Sequence, residues 1–180
     1  MAASTYLCLS LTISMFFVSH ASLPTLNLKF YQNVCKKPGE VHFEQQCLRL
    51  LQSHPALIVV NDPLTFAKLF VKTVALDRVT KAQAYVKQMM NKYPSSQPIK
   101  ECATSKYNTM AMELKGVLIE DPEAVCLVVQ YAGDALNECQ TLLANEKTVN
   151  VSSILTLNND LKFLIDIVRR ASGSIKYSNE

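Results

Sequence analysis

Residues 101–143 read ECATSKYNTMAMELKGVLIEDPEAVCLVVQYAGDALNECQTLL, and this stretch decides the fold. Ala103, Tyr107, Met110, Leu114 and Val117 recur at helical spacing before the Asp121-Pro122 pair. Val125, Val129, Ala132, Leu136, Cys139 and Leu143 recur at the same spacing after it. Apolar residues at this period form one face of an amphipathic helix. Asp followed by Pro is a helix start signal, because Pro at the first turn gives up an N–H that has no intrahelical partner. The chain therefore reverses at Asp121 into an antiparallel helix pair. Cys102 lies 19 residues before Asp121 and Cys139 lies 18 after it. The two positions sit side by side in such a pair, so a Cys102–Cys139 disulfide is feasible.

Toward the N-terminus, Asn61-Asp62-Pro63 is another start signal. Leu64, Ala67, Val71, Ala75, Val79, Ala82, Val86, Met89 and Tyr93 hold a stripe up to Pro94-Ser95-Ser96-Gln97-Pro98, which ends that helix. Before it, Leu26, Phe30 and Val34 form a short amphipathic lead. Lys36-Lys37-Pro38-Gly39 is a turn, and Phe43, Cys47, Leu50 and Leu51 mark a second short helix. Ile58-Val59-Val60 is too short for a convincing strand. Toward the C-terminus, residues 145–151 are a polar loop. Ser152 or Ser153 can cap a last helix carrying Ile154, Leu157, Leu161, Leu164, Ile165 and Val168, and Gly173 suits its C-terminal cap. The class is all-α. The predicted architecture is an antiparallel four-helix bundle over 61–180, preceded by a helical hairpin over 22–60, in one domain spanning 22–180.

Residues 1–21 contain no Lys, Arg, Asp or Glu, run apolar from Tyr6 to Val18, and end in the small-x-small pattern Ser19-His20-Ala21. This predicts a signal peptide cut after Ala21. Its apolar run of about 13 residues is short of the roughly 20 that span a bilayer, and no membrane partner is expected. Composition excludes other classes. Only 4 Gly among 180 residues argue against a turn-rich all-β fold, and the net charge of +3 is scattered without a Lys/Arg block. No nucleic-acid partner is expected. An exported chain with Cys35, Cys47, Cys102, Cys126 and Cys139 reads as a disulfide framework. Cys35 and Cys47 flank the Lys36–Val41 turn, 12 residues apart, and would staple the hairpin. Cys126 is then the odd thiol. It is read as a small buried hydrophobe in a monomer, and an intermolecular disulfide through it is the sharper alternative.

The ordered set of motifs resembles the plant invertase and pectin methylesterase inhibitors over nearly the whole mature chain. The residues that carry the likeness are Cys35-Lys36-Lys37, Phe43 with Cys47-Leu48, Glu101-Cys102 with Tyr107, and Ala132-Gly133-Asp134-Ala135 running into Glu138-Cys139. The tail adds Asn158-Asn159-Asp160-Leu161 and the repeat Leu164-Ile165-Asp166-Ile167-Val168. The resemblance implies a four-helix bundle with an N-terminal hairpin and the same two disulfides. It also implies a secreted protein inhibitor that covers the substrate cleft of a cell-wall or vacuolar carbohydrate enzyme as a 1:1 non-covalent complex, in the apoplast or the vacuole. Invertase-directed members can carry Asp-Pro-Lys-Phe between the two disulfide-linked helices. Here the match is Asp121-Pro122-Glu123-Ala124, a candidate target-contact loop in which an acid and a methyl replace Lys and Phe. That loss points first to pectin methylesterase and second to invertase. Two further departures are Gln140-Thr141-Leu142-Leu143 after Cys139, and Cys126 itself.

Catalysis is not expected. His42 and His54 stand without H-E-x-x-H, G-x-S-x-G or a phosphate-binding glycine loop. A zinc site using His42 and Cys47 would compete with the hairpin disulfide, and no metal or cofactor is expected. Asn150-Val151-Ser152 is the one glycosylation sequon in the mature chain, which marks Asn150 in the loop before the last helix. A helical exported ligand for a receptor, or a relative that has lost inhibition, would share the fold and leave these enzymes active.

Overall fold

Proline opens four helices, at Pro55, Pro63, Pro98 and Pro122, each within the first two helical positions. There the missing N–H costs nothing and the fixed φ favours the helical turn. A computed structural model describes residues 28–175. Helix α1 is Leu28–Cys35, α2 is Val41–Gln52 and α3 is Pro55–Ile58. Helix α4 covers residues 63–92, α5 covers 97–119, α6 is Pro122–Ala144 and α7 is Ser152–Ser172. The described residues contain no strand. The all-α class holds. The signal-peptide reading of 1–21 and Leu26 of the amphipathic lead lie outside the described residues.

Helix α5 packs along α6, α6 along α7, and α4 against both α7 and α5, while α1 lies on α2 and α7. Tyr107, Phe66, Phe70, Leu57, Ile99 and Met110 are the bulkiest of the fully buried side chains. Each apolar side chain of this size contributes about 1.5–3 kcal/mol on burial. Phe66 and Phe70 stack at 5.9 Å, and Phe30 of α1 meets Phe66 edge-on at 5.5 Å.

Two helices carry a widened turn. Val71–Ala75 in α4 and Cys102–Lys106 in α5 are π-helical. The apolar pattern explains both. Buried Ala67, Val71, Ala75 and Val79 follow successive steps of four, as do Ile99, Ala103 and Tyr107. In a regular helix each such step drifts about 40° off the stripe, and a turn holding an extra residue cancels the drift. In α6 the buried positions alternate four and three, from Val125 through Val129, Ala132, Leu136 and Cys139 to Leu143. It runs without a break.

The turn after α1 places Gly39 at φ 79°, the one positive φ among the described residues, where a Cβ would be strained. This turn docks on α7. Arg170 donates to the Lys36 carbonyl at 2.7 Å, and the Lys37 ammonium reaches Glu40 at 2.8 Å and the largely buried Asp166 at 3.6 Å. Phe43 packs edge-on against Phe163, their centroids 5.2 Å apart.

Local details correct the sequence reading in four places. Residues 55–58 form the short helix α3 inside the segment read as hairpin. The last helix takes its capping acceptor from Asn150, whose Oδ1 accepts from the Ser152 N–H at 3.0 Å, so neither Ser152 nor Ser153 is the cap. Gly173 ends α7 at φ −66°, without the left-handed conformation. Asp62 accepts from the Thr65 N–H at 2.7 Å as a true cap, whereas Asp121 holds the cap position without a side-chain capping bond.

Candidate functional site

The corner between α5 and α6 carries the predicted contact loop. Glu120 and Asp121 are both extended, with ψ of 154° and 157°, and turn the chain in two residues. The Lys68 ammonium donates to the Glu120 carbonyl at 3.1 Å and ties the corner to α4. Asp121, Pro122 and Glu123 are exposed and Ala124 is half-buried. Beside them Ile119 is 82% exposed and Leu127 47%. Farther up α5, Met112 is 63% exposed, and Tyr131 of α6 is 48% exposed. The corner thus joins apolar side chains in water to the carboxylates of Glu120, Asp121 and Glu123. The sequence reading placed the loop and missed these apolar neighbours. Each falls off the buried stripe of its helix, and that was the available signal.

The helix pair that presents the corner is clamped at its far end. Cys102 and Cys139 form a disulfide with Cα atoms 5.1 Å apart, and Cys35–Cys47 closes the hairpin with Cα atoms 5.4 Å apart. Below the first bridge, the fully buried Tyr107 donates its hydroxyl to Asn158 Oδ1 at 2.6 Å, and Asn158 Nδ2 lies 3.5 Å from Cys139 Sγ. Burial pushes the Tyr107 phenol far above its ordinary range. Outside the bridge, Lys106 meets Glu138 at 2.6 Å and Glu101 at 3.8 Å. Chiefly the hydrogen bond to Glu138 raises the Lys106 pKa.

The loop at the same end is organised by Glu146. Its carboxylate accepts from the Ser96 hydroxyl and from the Thr148 N–H at 2.7 Å. These bonds, the one from Ser96 first, hold its pKa down at about 2. Ser96 also accepts from the Ile99 N–H as the cap of α5, so one carboxylate joins two loops. Asn150 lies exposed in this loop.

Cys126 is free and half-buried, which departs from the buried thiol expected. Cys47 is committed to its disulfide and cannot serve a zinc site with His42. His54 places Nδ1 2.9 Å from the Leu50 carbonyl. The described residues contain no cluster of three His, Cys, Asp or Glu able to hold a metal. They also contain no helix long and apolar enough to cross a membrane.

No protein family matches the chain, and no curated protein or solved structure is significantly similar to it.

Proposed function

We propose that this chain is a secreted inhibitor that binds a plant pectin methylesterase one to one, non-covalently, over its substrate cleft. In this reading the long helices α4 to α7 act as an antiparallel four-helix bundle and the α5–α6 corner meets the enzyme. The observation that carries it is the pairing of an exposed corner, Ile119 to Ala124, with a disulfide that clamps the same two helices. A pre-organised surface loses little entropy on binding, and exposed aliphatic side chains can be buried there as anchors. The motif resemblance supports the target class. The apoplast is the proposed location, with a sugar chain on Asn150 compatible with its exposure. Invertase is the second reading, favoured by the retained Asp121-Pro122 pair.

The test is titration of the oxidised protein against pectin methylesterases and acid invertases at mildly acidic pH. The expected result is stoichiometric loss of pectin methylesterase activity, weakened at least about tenfold by Ile119→Asp, the loss of one anchor worth about 1.4 kcal/mol or more. Loss of invertase activity, strengthened by Glu123→Lys with Ala124→Phe, would transfer the target. Loss of neither activity would overturn the inhibitor reading in favour of a non-inhibitory exported ligand.

A further inference from the structure

A groove of about 1070 Å³ lies between α2 and α4, over α7 and away from the α5–α6 corner. Its floor is the α7 row Leu157, Leu161 and Leu164, at steps of four and three. Leu50 of α2 rises on one side, and Ala82 and Tyr85 of α4 on the other. Leu157, Leu50 and Tyr85 are half-buried, so apolar surface stays in contact with water along the groove. The α7 lining runs from Ser153 to Leu164. At 1.5 Å per residue this is about 16 Å, or roughly three helical turns.

The rim is positive. Arg49 stands on the α2 side, and Arg78 and Lys81 on the α4 side, against the single carboxylate of Asp160. Lys81 already pairs with Asp77 at 2.7 Å. No ion pair reaches Arg49 or Arg78 among the described residues. His42 lines the groove as well, on the α2 side.

We infer that this groove is a docking site for an amphipathic helix of a partner protein, apolar on its inner face and acidic along its flanks. A floor of leucines at helical spacing offers a ridge that the side chains of a second helix can straddle. The groove length matches about three turns of that helix. The two cationic rims select carboxylates on its flanks and disfavour basic ones. The segments of this chain beyond the described residues fit poorly. Residues 1–27 contain no Asp or Glu, and residues 176–180 contain one acid and one base. An acidic sugar chain could pair with the basic rim but brings no aliphatic side chains to cover Leu157, Leu161 and Leu164.

The inference does not rest on enzyme inhibition, and its test contains no enzyme. The full chain, produced in a secreting host, is titrated into a fluorescent synthetic helix of about four turns with leucines at i, i+3, i+4 and i+7 and glutamates on both flanks. A twin peptide carries lysines in place of the glutamates. The glutamate peptide is expected to bind saturably below about 100 μM, at least about tenfold tighter than its twin, and more weakly as salt rises. Arg78→Glu, an exposed change, should reverse the preference between the peptides at unchanged melting temperature. Leu157→Glu should weaken both. Equal binding of the twins, binding of neither, or indifference to both substitutions would overturn the inference. So would displacement of the glutamate peptide by an oligouronate at equal concentration, which would assign the groove to a carbohydrate.

Discussion

Replacing Tyr107 by Phe and Asn158 by Leu, singly and together, tests how the core is held beside the disulfide. Both side chains are fully buried and their hydrogen bond is 2.6 Å long. Tyr107→Phe removes one hydroxyl and leaves the Asn158 carbonyl without a hydrogen-bond donor among the described residues. A buried acceptor stranded in this way costs about 1–3 kcal/mol. Asn158→Leu strands the phenol hydroxyl at a similar cost and also removes the amide that faces Cys139 Sγ. The double variant strands neither group, since both partners become apolar. It should therefore be less destabilised than the sum of the single changes by about 2 kcal/mol or more, the two stranding costs together. The assay is urea unfolding with both disulfides intact and the slope against urea required to stay constant. Additivity within about 0.5 kcal/mol would refute the reasoning, because it would mean that the two groups do not depend on each other.

Three further outcomes follow from the same structure. Asp62→Ala should cost about 1 kcal/mol through its lost cap on α4, and Asp121→Ala only a few tenths. Equal losses on thermal melting would contradict the capping geometry. Glu146 has its pKa lowered to about 2 in the fold from an ordinary value of 4.5. Its contribution to stability is thus complete above pH 4.5 and is lost as pH falls toward 2. Glu146→Gln should flatten that part of the acid limb, and an acid-unfolding curve unchanged by it would remove the loop junction from the account. Removing the Cys102–Cys139 bridge with Ala at both positions should destabilise by about 4 kcal/mol, against about 3 kcal/mol for Cys35–Cys47, as loop entropy grows with the longer separation of 37 against 12 residues. The opposite order in non-reducing urea titrations would show that native contacts outweigh loop closure.

The legible part of the sequence was what repeats. In α6 every stripe residue from Val125 to Leu143 is buried, because steps alternating four and three match a straight helix. Helix α4 was harder. Its stripe contained Ala67, Val71, Ala75 and Val79, but Phe66 and Phe70 are equally buried. That helix is covered on two sides, by α5 and α7, and a single stripe describes only one. The widened turns were present as runs of fours, a signal that the stripe alone did not separate from a wide apolar face. Asn158 read as part of a polar tail, since nothing in sequence links it to Tyr107, 51 residues away. The candidate loop at Asp121 was legible as a start signal. The exposure of Ile119 is legible only as its place off the Ala103-to-Val117 stripe, since hydrophobicity by itself does not state which side of a helix faces water.

The Cys102–Cys139 bridge has a mechanical consequence for the corner. Residues 103–138, with Ile119 to Ala124 among them, belong to a covalent ring closed by the sulfur bond. Tension applied to the two ends of the chain crosses that bond and does not run through the ring. The ring would add about 130 Å of contour if the bridge were absent, but it is spanned by a Cα–Cα distance of 5.1 Å. Helices α4 and α7 lie in the path of the load, whereas the corner lies outside it. A pull that strips the outer helices away therefore leaves the two helices of the corner joined, where Ile119 stands bare beside the carboxylates of Asp121 and Glu123.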